Sequence, residues 1–396
     1  MKTPPERPPD GRIRLLLLLT STAGGAGLQN YFLARGLSRE VFDLQVAHGP
    51  GYPLDVKYRD LGIPVHVLSL SRKLAPTINM RGFFQIWRLL RRERFDIVCT
   101  SCSIAGMLGR FAAALAGVPT RIHVLHVYAC RPYQNALKRA FYWGIERALD
   151  PLTTHYVAVS EATKQYGVDR HLMRPEKVSV IFNAIEQRSA SARPAGDMRR
   201  ELGLRPDSQV VGTSGRYEQQ KGLEFLLHAA ALVVRDHPEV EFLIVGDGPL
   251  RGELSQLARS LGIADSVHFT GWREDVPDVL GVMDVFCLAS LWETFGLVLV
   301  EAMQAALPIV ATRVDAIPEV VIEGETGLLV PPRDPERLAG RIIELLDNPQ
   351  LARELGAAGR RRALRMCSLD RMVRLYESLF VELTCGEASA PGEGRA

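Results

Sequence analysis

One local pattern limits what this chain can fold into: an apolar strand, a glycine-bearing turn, then an amphipathic helix, repeated along its length. It begins at residues 13–20, where Leu15 to Leu19 form an unbroken leucine run after Arg14. The run leads into Ser21-Thr22-Ala23-Gly24-Gly25-Ala26-Gly27 and a helical pattern over about 28–38. Five leucines are too few to span a bilayer and lack the anatomy of a secretory leader, so they predict a buried first strand. Further strands are expected at 42–47, 65–68, 97–100, 121–125, 156–159 and 178–181, with helical patterns such as 83–94 and 104–116 between them. Strands that alternate with helices need crossover connections, and crossovers make a parallel sheet.

At 396 residues the chain exceeds a single core and predicts two domains. Residues 187–196, rich in Ser, Ala, Arg and Pro, read as the linker. A second strand–helix series follows, with strands at 210–213, 241–245, 267–269, 285–288, 308–311 and 327–330, and helices at 222–236, 250–261, 335–346, 349–365 and 369–383. The expected class is therefore α/β, with two Rossmann-like doubly wound domains facing a central cleft. Residues 1–11 and 386–396 are expected to be disordered.

Hydrophobic residues at 47% and charged residues at 23% match a soluble globular protein. The six cysteines are scattered apart from Cys99-Thr100-Ser101-Cys102, which no second pair completes; buried thiols in a reducing compartment are expected. Charge is uneven. Residues 1–190 carry 26 Lys+Arg against 14 Asp+Glu, and residues 191–396 carry 22 against 31. A basic first half suits an anionic partner, although solvated basic faces account for the same numbers. Within that half, residues 81–94 and 131–143 mix arginines and lysine with Phe83, Phe84, Trp87, Phe141 and Trp143. Such helices either lie on an anionic membrane surface or pack on the sheet as ordinary amphipathic helices. Nucleic acid is not expected, since no recognition module is present.

The chemistry-bearing residues fall at strand ends. The Gly24-Gly25 turn is not a dinucleotide fingerprint, because Asn30 stands where a third glycine is wanted and no acid follows the second strand. Its glycines permit close backbone approach to a ligand; a plain tight turn fits equally. Gly215-Arg216-Tyr217-Glu218-Gln219-Gln220-Lys221-Gly222 sets an Arg and a Lys before a helix, which suits a diphosphate. Gly246 and Gly248 make another turn, and Gly271-Trp272-Arg273 another. Last comes Glu293-Thr294-Phe295-Gly296-Leu297 and Glu301, where a helix is expected to start near Phe295, with Glu301 about two turns inside it. The two acids alone could be an N-terminal cap and a surface Glu, or the acid/base couple of a hydrolase. In a doubly wound sheet these strand ends converge on one crevice. Together they match the diphosphate, base and polyol of a nucleotide sugar. No Asp-x-Asp and no ligand-spaced His/Cys cluster is present, so neither metal nor cofactor is expected. Of the histidines after the fifth strand pattern, His123 suits the core and His126 a site. Asn183 suits a turn.

The second half resembles the donor domain of retaining glycosyltransferases of family 4, which have the GT-B fold. The resemblance rests on Gly215-Arg216…Lys221-Gly222, Val245-Gly246-Asp247-Gly248-Pro249, Phe269-Thr270-Gly271, Glu293…Phe295-Gly296…Glu301-Ala302-Met303, and Ile317-Pro318-Glu319-Val320-Val321…Thr326-Gly327-Leu328-Leu329-Val330. The first half is similar more loosely, through Gly24-Gly25, His126, Val159-Ser160-Glu161-Ala162 and Val180-Ile181-Phe182-Asn183. Thr294, Ala184 and Ala306 stand where the family often has glycine. The resemblance implies an acceptor-side domain at 1–190, a donor domain at 191–366 and a helix at 367–385 that crosses back. It implies that Arg216 and Lys221 neutralise the departing diphosphate, with help from backbone N–H groups near Gly296 and Leu297. Glu301 would hold the ribose, Glu293 the transferred sugar, and Trp272 and Arg273 the base. Gly24 and Gly25 would approach the phosphates, and His126 would line the reacting sugar. The implied activity is retaining transfer of a hexosyl group from a nucleoside diphosphate sugar to a glycan or lipid-linked acceptor, in cell-envelope or extracellular polysaccharide synthesis. The implied location is cytoplasmic, peripheral on the inner membrane face. An inactive sugar-nucleotide-binding scaffold is the alternative.

Overall fold

A strand apolar on both faces must be covered on both faces, and Leu15 to Leu19 are all fully buried. The computed structural model describes residues 11–22, 24–50, 54–71, 76–126, 136–187 and 193–385. They form two units: one runs to Asn183 and resumes at Leu369, and the other spans Ala184–Ser368. Residues 1–10 and 386–396 of the expected disordered ends, and half of the expected linker (188–192), lie outside the described residues.

In the first unit the strands are β1 (Ile13–Leu19), β2 (Phe42–His48), β3 (Val65–Val67), β4 (Ile97–Ser101), β5 (Thr120–Leu125), β6 (His155–Ala158) and β7 (Val178–Val180). All pair in parallel, in the order β3-β2-β1-β4-β5-β6-β7. The helices between them are α1 (Gly24–Gly36), α2 (Leu54–Asp60), α3 (Pro76–Glu93), α4 (Ser103–Ala116), α5 (Ala136–Leu149) and α6 (Glu161–Asp169). Ser160 of Val159-Ser160-Glu161-Ala162 caps α6: its Oγ accepts from the Thr163 amide at 3.1 Å. Helix α1 starts earlier than the expected residue 28, and its first turn consists of Gly24 and Gly25 themselves. The glycine that packing demands is Gly27, where a Cβ would lie 1.8 Å from the Thr22 carbonyl oxygen. Hydrophobic periodicity missed this start because four of its first residues are Gly or Ala.

The second unit contains α7 (Ala195–Leu202), β8 (Val210–Ser214), α8 (Leu223–Asp236), β9 (Glu241–Val245), α9 (Arg251–Ser260), β10 (Val267–Gly271), α10 (Val276–Leu280), β11 (Val285–Leu288), α11 (Leu297–Gln304), β12 (Ile309–Thr312), α12 (Ile317–Val320), β13 (Leu328–Val330), α13 (Pro335–Asp347) and α14 (Pro349–Met366). Its parallel sheet runs β10-β9-β8-β11-β12-β13. Strand order reverses between β8 and β11, and a doubly wound sheet binds its ligand beyond the carboxyl ends at such a switch point. The first sheet switches in the same way between β1 and β4. The last helix, α15 (Leu369–Cys385), belongs to the first unit. Its Val373 packs on Gly36, its Phe380 meets Phe42 edge-on at 6.0 Å, and its Glu377 accepts from the Ser38 amide at 2.7 Å.

Candidate functional site

The loops after β8, β9 and β10 are stitched side by side. The Gly215 amide donates to the Val245 carbonyl at 2.9 Å, and the Gly246 amide to the Gly271 carbonyl at 3.0 Å. Gly246 has φ 127°, and a Cβ there would stand 2.0 Å from the Gly215 oxygen, so only glycine lets the loops approach this closely. Tyr217, which carries no local signal of a site role, is fully buried beneath this seam and donates its hydroxyl to the Ile244 carbonyl at 2.7 Å. The Gly248 backbone lies directly on it.

The same loop reaches sideways to the loop after β11. The Gly222 Cβ position is 2.1 Å from the Ala289 oxygen, and the Leu291 amide donates to the Gln220 carbonyl at 2.8 Å. This contact delivers Lys221 to Glu293: Nζ to Oε2 is 2.7 Å, with the side chains only 14% and 9% exposed. Gln220 supports the pair, its Nε2 donating to the Trp292 carbonyl at 3.1 Å and to Glu293 Oε1 at 3.4 Å. The family resemblance implies phosphate for Lys221 and sugar for Glu293. The structure brings them together at the switch point as one hydrogen-bonded ion pair.

Past Glu293 the chain passes through buried Phe295 and through Gly296, whose φ is 83°, into α11. Glu301 is half-buried on this helix. Because α11 starts at Leu297, Glu301 is its fifth residue, little more than one turn inside rather than two. Leu297 supplies the first N–H of the helix, in the positive half of its dipole.

Other expected residues are placed differently. Arg216 is mostly exposed and pairs with Glu218 at 3.0 Å, apart from the Lys221–Glu293 pair. Trp272 is 79% exposed. Arg273 is committed within the protein: its guanidinium binds Asp275 at 2.5 Å and Glu201 of α7 at 2.7 Å. The Asp275 hydrogen bond first, and that of Glu201 after it, hold its pKa above the ordinary arginine value.

In the first unit, Gly24 and Gly25 lie exposed at the start of α1, after switch-point strand β1. His126 follows β5. Its Nε2 is buried with no hydrogen-bond partner among the described residues, and burial pushes its pKa down to about 4. His123 is the core histidine: its Nδ1 meets Thr100 Oγ1 at 2.9 Å, and burial, then Arg110, then His126 lower its pKa. Asn183, expected in a turn, is buried and is the last residue before the chain passes into the second unit. Among the described residues no group of three or more His, Cys, Asp or Glu is placed to hold a metal, and no helix is long and apolar enough to cross a membrane.

Residues 195–362 match the family model described as glycosyl transferases group 1, and residues 23–188 the one described as glycosyltransferase family 4. The chain is similar to the UDP-Gal:alpha-D-GlcNAc-diphosphoundecaprenol alpha-1,3-galactosyltransferase of Escherichia coli, 29% identical over 341 residues, with 85% of this chain and 87% of that protein covered. It is 30% identical over 382 residues to the N-acetyl-alpha-D-glucosaminyl L-malate synthase of Bacillus anthracis, covering 94% and 97%. Among solved structures, HepE of Anabaena in complex with UDP and glucose matches with a TM-score of 0.83 at 22% identity, covering 94% of this chain and 100% of that one. At that identity the likeness is one of fold.

Proposed function

Because the chain belongs to the group 1 glycosyl transferases, and is a glycosyltransferase with the two-domain GT-B fold, we propose that it moves a hexosyl group from a nucleoside diphosphate sugar to a glycan or lipid-linked acceptor with retention. The observation that carries this reading is the Lys221–Glu293 pair at the switch point, beside the N-terminus of α11. A carboxylate held 2.7 Å from an ammonium accepts sugar hydroxyls without becoming an isolated buried charge. The ammonium and the backbone N–H groups at Gly296 and Leu297 offset charge as the diphosphate departs. Arg216, exposed on the same loop as Lys221, reaches the same phosphates, and Glu301 holds the ribose. His126, neutral at pH 7, lines the acceptor side with Gly24 and Gly25. A hydrolase needs no diphosphate site of this kind, and an inactive scaffold has no need of a buried, supported ion pair.

The E. coli relative's name specifies UDP-Gal and a diphosphoundecaprenol-linked acceptor, which supports a lipid-linked acceptor and work on envelope or extracellular polysaccharide. An anionic membrane surface then becomes a partner, and the first unit offers a face for it. On α3 the exposed stripe reads Arg81, Phe84, Arg88, Arg91. Phe83 stacks on the exposed Phe111 of α4 at 5.6 Å, and Leu115 follows one turn on. The location that follows is cytoplasmic, peripheral at the inner membrane face.

A thermal-shift panel of UDP-, GDP- and ADP-sugars, followed by a transfer assay with NMR assignment of the product anomer, tests the reading. Stabilisation by one nucleotide class and a product of unchanged anomeric configuration are expected. No stabilisation by any of them overturns the donor site; an inverted product overturns retention.

A further inference from the structure

We infer that Asp315 is a positioning residue that fixes where Glu293 points, an inference that rests on Glu293 being the residue that holds the transferred sugar. Asp315 lies in the turn between β12 and α12 and has φ 39°, a left-handed conformation that glycine adopts freely and other residues adopt with strain. Its Oδ2 accepts the Glu293 amide at 3.0 Å. The next residue completes a bracket, the Ala316 amide donating to the Glu293 carbonyl at 3.2 Å. Both backbone polar groups of Glu293 are therefore held by two consecutive residues from a different strand end. The bracket itself is anchored. Ala316 is fully buried, the Ile317 amide closes the turn onto Val314 at 2.9 Å, and Thr312 Oγ1 grips the Ser290 carbonyl of the same loop at 2.6 Å.

Fixing the backbone of Glu293 matters because its carboxylate has two protein contacts to satisfy, Lys221 and Gln220, both from the opposite side. A loop free to rotate at residue 293 would let the carboxylate follow Lys221 alone. Held by Asp315 and Ala316, it keeps the orientation in which its remaining lone pairs meet sugar hydroxyls. Glycine at 315 would accept the backbone geometry, but only a side-chain oxygen can accept the Glu293 N–H. The strained residue thus supplies something the relaxed one lacks.

Two substitutions separate this role from a packing role. Asp315→Gly relieves the φ and removes the acceptor; Asp315→Asn keeps an acceptor oxygen. A misplacement of about 1 Å at a reacting group costs about 100-fold in rate, so Asp315→Gly is expected to lower kcat by at least about tenfold. Its donor KM and Tm should stay near wild type, and Asp315→Asn should recover most of kcat. Hydrogen exchange of the peptide covering 290–296 should rise in the glycine variant and not in the asparagine one. Wild-type kcat in Asp315→Gly overturns the inference, as does a kcat loss matched by an equal loss of Tm and donor affinity. If wild-type protein turns over no nucleoside diphosphate sugar, the functional reading fails. The exchange measurement then still decides the positional claim, and unchanged exchange in Asp315→Gly refutes it.

Discussion

Lys221 and Glu293 are 72 positions apart in sequence and 2.7 Å apart in the fold, and under the proposed function Glu293 positions the transferred sugar while Glu301 holds the ribose. The two glutamates should therefore fail differently. Glu293→Gln still accepts from Lys221 but loses its charge beside the sugar, and is expected to slow transfer by about 100-fold with little change in donor affinity. Glu301→Gln loses a charged acceptor for ribose and should weaken nucleoside diphosphate binding by about tenfold, read by calorimetry. Equal, purely affinity-type losses from both would contradict the division. His126 makes a second residue-scale prediction. Its native pKa of about 4 lies below the ordinary 6.5, so between those values the unfolded chain binds a proton that the folded chain does not. Stability is then complete above about pH 6.5 and falls as pH drops towards 4, by about 3 kcal/mol for this one group. His123, lowered in the same direction, steepens the fall. The Tm of His126→Gln should depend less on pH across that window; an unchanged slope would show that His126 is not the group responsible.

At the scale of elements, α3 shows what helical periodicity can and cannot say. Its buried face, Ile86, Leu89 and Leu90, packs on the sheet as for any amphipathic helix. Its opposite face is unusual in exposing Phe84 between Arg81 and Arg88. Each basic residue near an anionic surface contributes about 1 kcal/mol, so Arg81→Glu combined with Arg88→Glu should reduce flotation with anionic vesicles by more than tenfold. Phe84→Ser should weaken the part of the binding that survives added salt, because apolar insertion is not screened. Wild-type protein that floats equally with zwitterionic and anionic vesicles would exclude the electrostatic reading of this face.

At the scale of the molecule, the chain leaves its first unit at Asn183 and returns to it at Leu369. The first unit therefore depends on residues at both ends of the sequence. Phe380 is fully buried against Phe42, and Phe380→Ala should destabilise that unit by about 3–5 kcal/mol, measured by denaturant unfolding. A loss below about 1 kcal/mol would mean that α15 is a peripheral strap rather than part of the core.

The sequence by itself determined the alternation of strands and helices, and hence two parallel sheets. It also placed Gly215, Lys221, Gly246, Glu293 and Gly296 at strand ends, because strand periodicity, helix periodicity and glycine turns are local signals. Tertiary structure decided the rest. Strand order set β8 beside β11 and so brought Lys221 to Glu293. Partners distant in sequence committed Arg273 to Glu201 and Asp315 to the Glu293 amide. An Arg or Asp in a loop has the same local signature whether it meets a ligand or another loop. Which of the two it meets depends on distances that only the folded sheet sets.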